Sequence, residues 1–139
     1  MISINFLLDN PFSKIQELQI KKWLQECIHH EGKKPGDITY VICDDEYLLH
    51  INLDFLQHDF YTDIITFSNA NHPEIISGEI YVSLSRVIEN AIMHQVDLFD
   101  EFCRVCIHGI LHLVGYDDHA HDDIIEMRGK EDYYLNLRP

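Results

Sequence analysis

Apolar and polar residues alternate over residues 2–8, the period-two pattern of a strand with one buried face. Asn10-Pro11-Phe12-Ser13 is a helix-start signal, and Ile15, Leu18, Ile20, Trp23, Leu24 and Ile28 follow at helical spacing. Gly32 and Pro35-Gly36 predict the end of that helix and the opening of a second strand over residues 38–43. Asp44-Asp45 can cap a short helix through Leu56 that carries Leu48, Leu49, Ile51 and Leu53. Residues 62–67 and 78–82 read as two more strands. Ser83 then caps a helix with Val87, Ala91 and His94, and Asp97 restarts the chain into residues 102–114. That last stretch is apolar almost all round, so it is expected to be buried, and Gly115 fits its C-terminal stop. A final helix over residues 122–137 offers Ile124, Ile125, Met127, Tyr133 and Leu135. The mixture predicts an α+β fold, a small mixed β-sheet flanked by about five helices.

The length of 139 residues fits a single domain over residues 1–139 with one hydrophobic core. No apolar run approaches the roughly 20 residues needed to span a bilayer. The N-terminus has neither a basic leader nor a small-residue cleavage site, so a cytoplasmic protein without membrane association is expected. Cys27, Cys43, Cys103 and Cys106 lie in apolar or helical stretches and read as reduced, buried thiols. Cys103 and Cys106 form a C-x-x-C just before His108. Four ligands spaced C-x-x-C-x-H-x-x-x-H along one helix would point in too many directions to close on one tetrahedral ion. The formal net charge is −14, which gives little general attraction to phosphates. Nonspecific nucleic-acid affinity is therefore not expected, whereas a nuclease that relies on a local basic patch or a metal remains open.

The chemistry concentrates in the run from His108 to His119. Residues four apart share a helix face, so His108 and His112 can hold the same ion. Gly115 breaks the helix and turns the chain back, which can bring a third ligand from Asp118 or His119. Three protein ligands with an open fourth position is the pattern of a catalytic zinc, one ion per chain. In the H-E-x-x-H peptidases a glutamate after the first histidine acts as general base, and here that position is Gly109.

The run H-G-I-L-H-L-V-G-Y-D-D, residues 108–118, resembles the signature H-G-x-L-H-L-x-G-Y-D-H of the YbeY family of metal-dependent endoribonucleases that mature bacterial ribosomal RNA. The resemblance extends from Leu48 to the C-terminus. Residues 62–67 are similar to that family's T-D-V-L-S-F stretch, residues 77–80 to its G-D-I strand, and Met127 with Glu131 to its closing helix. It implies a zinc-dependent endoribonuclease specific for single strands, acting in ribosomal RNA maturation and ribosome quality control. Its partners would be single-stranded or ribosomal RNA and the small ribosomal subunit or assembly proteins.

Two departures from the family pattern matter. The third family histidine falls, without a gap, on Asp118, which makes Asp118 the preferred third ligand and His119 the alternative. A carboxylate there should lower the metal's effective charge. The family's arginine six residues before Thr62, thought to help with the phosphate, falls on Leu56, and a nearby lysine position on His58. Arg86 and Arg104 are candidate replacements. Arg104 is preferred because it sits one helical turn before His108, with pairing to a carboxylate as its alternative role.

Asp117 and Asp63 are candidate acceptors for the histidines' other ring nitrogens. His119, His121, Asp122 and Asp123 read as solvated loop and helix cap rather than a second metal cluster. Tyr116 is expected to pack, and so are Tyr133 and Tyr134, with stacking on bases as the alternative for that pair. Two rival readings share the spacing: a metallopeptidase-like hydrolase, and a non-catalytic ribosome-assembly factor with a zinc site.

Overall fold

Four short side-chain caps start most of the helices. In the computed structural model, which describes residues 1–138, Ser13 accepts from the Gln16 amide while the Gln16 side chain reaches back to the Ser13 amide, a complete capping box. Asp44, Ser83 and Asp97 each accept from a first-turn amide in the same way. The chain runs β1 (Ile2–Phe6), α1 (Lys14–His30), β2 (Lys34–Cys43), α2 (Asp45–Leu56), β3 (Ile64–Ser68), β4 (Ile75–Ser83), α3 (Leu84–His94), α4 (Leu98–Val114) and α5 (His121–Leu135). The sheet order is β1-β2-β4-β3. β1, β2 and β4 are mutually parallel, and β3 returns antiparallel along β4. This is the α+β architecture expected, with a mixed sheet and five helices among the described residues.

Side chains alternate across the sheet, and each face buries its own set. On one face Ile38, Tyr40, Ile42, Ile80 and Val82 pack with Trp23 and Leu24 of α1 and with Phe102, Cys106, Ile107, Ile110 and Leu111 of α4. On the other, Cys43, Ile65 and Leu48 of α2 form a smaller cluster. Gly109 lets α4 lie close against the sheet. A Cβ there would stand 2.9 Å from Ile80 Cγ2 and 3.1 Å from Ile64 Cδ1. All four cysteines are free and buried, and burial pushes the Cys27 and Cys43 thiols up to about 12. Buried thiols held so firmly protonated are poor metal ligands, in keeping with a packing role.

Three expectations need correction. β1 stops at Phe6, and Leu7 and Leu8 turn outward. β2 begins at Lys34, not after Pro35-Gly36. A register shift between Pro35 and Ile38 lets the sheet absorb a proline that cannot donate to the ladder. On α5 the inward face is Met127, Glu131 and Tyr134, while Ile124, Ile125 and Tyr133, all expected to pack, are exposed.

Candidate metal centre

α4 presents His108 and His112 on one face, near the end where Gly115 stops the helix with φ +123°, a left-handed value that favours glycine. The Gly115 and Tyr116 amides both donate to the Leu111 carbonyl, folding the chain back over the last turn. That turn brings Asp118 to the histidines. Asp118 Oδ2 lies 3.2 Å from His108 Nε2 and 3.3 Å from His112 Nε2, and the two Nε2 atoms are 3.0 Å apart.

The other ring nitrogens decide what these atoms are. His108 Nδ1 is 2.7 Å from Oε2 of the buried Glu131, and His112 Nδ1 is 3.1 Å from the Tyr116 carbonyl oxygen. Both partners only accept, so each Nδ1 carries its proton and donates. In the neutral rings both Nε2 atoms are then lone pairs. Two lone pairs and a carboxylate oxygen converge on one point, an arrangement that asks for a cation. Tetrahedral bonds of about 2.0–2.1 Å place ligand atoms about 3.3 Å apart. The three separations, 3.0–3.3 Å, therefore fit one small divalent ion between His108, His112 and Asp118.

Charge around the site favours positive species. Burial opposes the imidazolium of His108, but its hydrogen bond to Glu131 and the charges of Glu131, Asp118 and Asp63 outweigh it and raise the ring above its ordinary range. Burial likewise pushes the Glu131 carboxyl up. Hydrogen bonds from His108 and Arg104 outweigh that and hold it below the usual carboxylate range. Arg104 donates to Glu131 Oε1 at 2.8 Å and to Asp132 Oδ1 at 2.6 Å. Its guanidinium is thus committed to carboxylates, which is the alternative role considered for it. Arg86 is also paired, through Nε to Asp45 at 3.1 Å.

The expected acceptors for the ring nitrogens, Asp63 and Asp117, are replaced by Glu131 and the Tyr116 carbonyl. Asp117 instead accepts from the Asp118 amide at 2.8 Å and stands 3.4 Å from His119 Nε2. His119 is 87% exposed, and its ring lies with Asp117 and Asp118 rather than with the two helical histidines. His121, Asp122 and Asp123 form the first turn of α5 behind Ala120, which makes no side-chain cap; His121 and Asp122 are exposed and Asp123 is half-buried.

Glu131 escaped the spacing argument because it lies 23 residues beyond His108. Its trace in the sequence is an acid in the i, i+4, i+7 stripe with Met127 and Tyr134. Glu31 was missed for the same reason. Sitting at the C-cap of α1, it accepts from Tyr116 Oη at 2.7 Å, from Lys130 Nζ at 3.3 Å, and from Tyr134 Oη. It thereby ties the turn that carries the His112 acceptor to both α1 and α5.

Two cavities meet at the centre and share Asp63, His108 and Asp118. One, of about 320 Å³, runs past Arg104, Arg128 and Glu131. The other, of about 390 Å³, runs between β3 and the segment after α2 and includes Leu56, His58 and Phe60.

A family model described as Endoribonuclease YbeY matches residues 7–138. Curated proteins named Endoribonuclease YbeY are similar over nearly their whole length. That of Flavobacterium johnsoniae is 46% identical over 129 residues, 93% of this chain and 92% of the relative. That of Christiangramia forsetii is 43% identical over 134 residues, 96% and 93%. The solution structure of a Thermotoga maritima protein superposes with a TM-score of 0.67 at 30% identity, covering 96% of this chain and 87% of that one.

Proposed function

The chain belongs to the YbeY endoribonuclease family, and from that premise we propose that it is a zinc-dependent, single-strand-specific endoribonuclease of ribosomal RNA maturation and quality control. The observation that carries the metal dependence is the convergence of His108 Nε2, His112 Nε2 and Asp118 Oδ2, each separated from the others by 3.0–3.3 Å. Zinc suits two imidazoles and a carboxylate, and when bound it supplies Lewis-acid polarisation of the phosphodiester and acidifies water.

The chain's own residues prepare the site. Glu131 holds the proton on His108 Nδ1, and the Tyr116 carbonyl holds that on His112 Nδ1, so both Nε2 lone pairs stay available. Arg104 acts through Glu131, keeping its carboxylate ionised and aimed at the ring, and is a positioning residue rather than a phosphate clamp. Asp117 acts through the Asp118 amide and fixes the loop that presents the third ligand. The substrate is single-stranded RNA of the ribosome, met with the small subunit or its assembly proteins in the cytoplasm. No described helix is long and apolar enough to cross a membrane.

A peptidase role finds no support, because the close packing of Gly109 on Ile80 leaves no space for a general base at that position. An assembly factor with the same ion is favoured by one observation: no Lys or Arg lines the cavity beside Leu56. Cleavage of a labelled single-stranded RNA by chelator-stripped protein, with zinc added back, separates the two. Activity that returns with zinc and is absent in His112→Ala is the expected result. A zinc-loaded protein that leaves the RNA intact would put the assembly factor first.

A further inference from the structure

We propose that Phe60 and His58 form a stacking platform for a nucleobase of the RNA next to the scissile phosphate, an inference that rests on the nuclease reading above. The two rings lie parallel within 20°, their centroids 5.0 Å apart. Both side chains are exposed, Phe60 at 55%. They line the cavity of about 390 Å³ whose other wall is His108, His112 and Asp118. A chain held at the metal centre therefore runs past these ring faces within one continuous cavity.

The segment that carries the rings is fixed from below. Asn52 is buried on α2, and its Nδ2 donates to the Phe60 carbonyl at 2.9 Å, while the His58 amide donates to the Asn52 carbonyl at 3.1 Å. Gln57 takes the left-handed conformation, φ 56°, that turns the chain off the helix. The scaffold spends a buried amide and a strained cap to hold an aromatic pair in water. Packing does not explain this, since neither residue belongs to either core cluster.

Charge supplies the second argument. The cavity lining includes Asp63, Asp117 and Asp118 and no lysine or arginine. The protein carries a net charge of −14. Phosphates gain little along this path except at the metal, so affinity for the strand must come from contacts that do not depend on charge. Base–aromatic stacking is such a contact, and it tolerates any sequence because every base has a π-face. It also requires an unpaired base, which ties the platform to single strands.

The test uses a zinc-loaded protein and a short 2′-O-methylated single-stranded RNA, confirmed intact on a gel after each titration, with 2-aminopurine as the stacking reporter. The expected results are a fluorescence change on binding, binding on the order of tenfold weaker in Phe60→Leu, and retention in Phe60→Trp. Loss of that base from the oligonucleotide should weaken the wild type to the level of Phe60→Leu and leave Phe60→Leu unaffected. On cleavable RNA, Phe60→Leu should raise KM with little change in kcat. Equal binding of the intact and abasic strands by the wild type, or wild-type KM in Phe60→Leu, would overturn the platform while leaving the nuclease standing. A zinc-loaded wild type that cleaves no RNA but shows the 2-aminopurine response would do the reverse. It would leave Phe60 and His58 as a base-stacking surface of an RNA-binding protein and sink the nuclease together with the placement beside a scissile phosphate.

Discussion

His108 and His112 can offer two lone pairs to one point only because each ring's other nitrogen is already donating. The assignment of roles is therefore set by Glu131 and the Tyr116 carbonyl as much as by the histidines themselves. Replacing Glu131 with Gln keeps an acceptor but removes the charge. Zinc affinity, read by competition with a chromophoric chelator, should fall about tenfold or more. Asp118→Asn should lower it as well, whereas His119→Ala should leave it unchanged, because the exposed His119 ring pairs with Asp117 instead. Glu31 makes a prediction in pH. Burial alone would raise its carboxyl, but hydrogen bonds from Tyr134, Tyr116 and Lys130 outweigh burial and hold it below the usual range. A carboxyl depressed in the folded state contributes stability above its unfolded value, about 4.3, and that stability is lost as pH falls through the folded value. Glu31→Gln should therefore be about 1–2 kcal/mol less stable at pH 7. The gap to the wild type in urea unfolding should close as pH falls below about 4.

At the level of elements, α4 is where fold and site are the same object. Its apolar periphery fills the core, and Gly109, between the two histidines, lets its backbone lie close against Ile80 and Ile64 of the sheet. Alanine is a better helix former than glycine by about 0.8–1 kcal/mol. Gly109→Ala should nevertheless destabilise the protein by about 1–3 kcal/mol, because the new methyl meets the branched carbon of Ile80. Urea unfolding measures the difference, and zinc affinity should drop with it as the helix shifts. α4 was legible in the sequence because its signals are local: a capping aspartate, a largely apolar run and a glycine stop. The same holds for the pairing of His108 with His112, and for the turn that returns Asp118. Less legible were features that exist only once distant segments meet. Pro35-Gly36 punctuates a sequence, yet β2 runs through it because Lys34 and Pro35 find Ile75 and Ile76 on β4. Ile124 and Ile125 are the obvious apolar pair of α5. The helix instead turns Glu131 inward, since a buried acid with two donors, His108 and Arg104, is no longer a polar residue in search of water.

For the molecule as a whole, charge and metal must be considered together. The chain carries −14, and three carboxylates, Asp63, Asp117 and Asp118, gather in the cavity beside the two histidines. Along that cavity such a surface repels the very polymer the enzyme is proposed to cut, except at a bound cation. Binding of RNA should then depend only weakly on monovalent salt, since the slope of log affinity against log salt follows the number of phosphates neutralised by Lys and Arg. The same charge distribution bears on stability. A ligand that binds only the folded state at about 100 times its dissociation constant adds about 2.7 kcal/mol. For a chain of this size that corresponds to a rise of roughly 5–10 °C in Tm. Zinc could produce such a rise in two ways, by coordination at His108, His112 and Asp118 or by diffuse relief of the net negative charge. Salt distinguishes them, because the Debye length shrinks from about 10 Å at 0.1 M to about 3 Å at 1 M and screens only the diffuse effect. The expected outcome is a zinc-dependent rise in Tm that persists at about 1 M salt and disappears in His112→Ala, whose net charge at pH 7 matches that of the wild type with neutral histidine. A rise that vanishes in high salt and survives in His112→Ala would mean that the acidic surface, not the three-ligand centre, is what the ion stabilises.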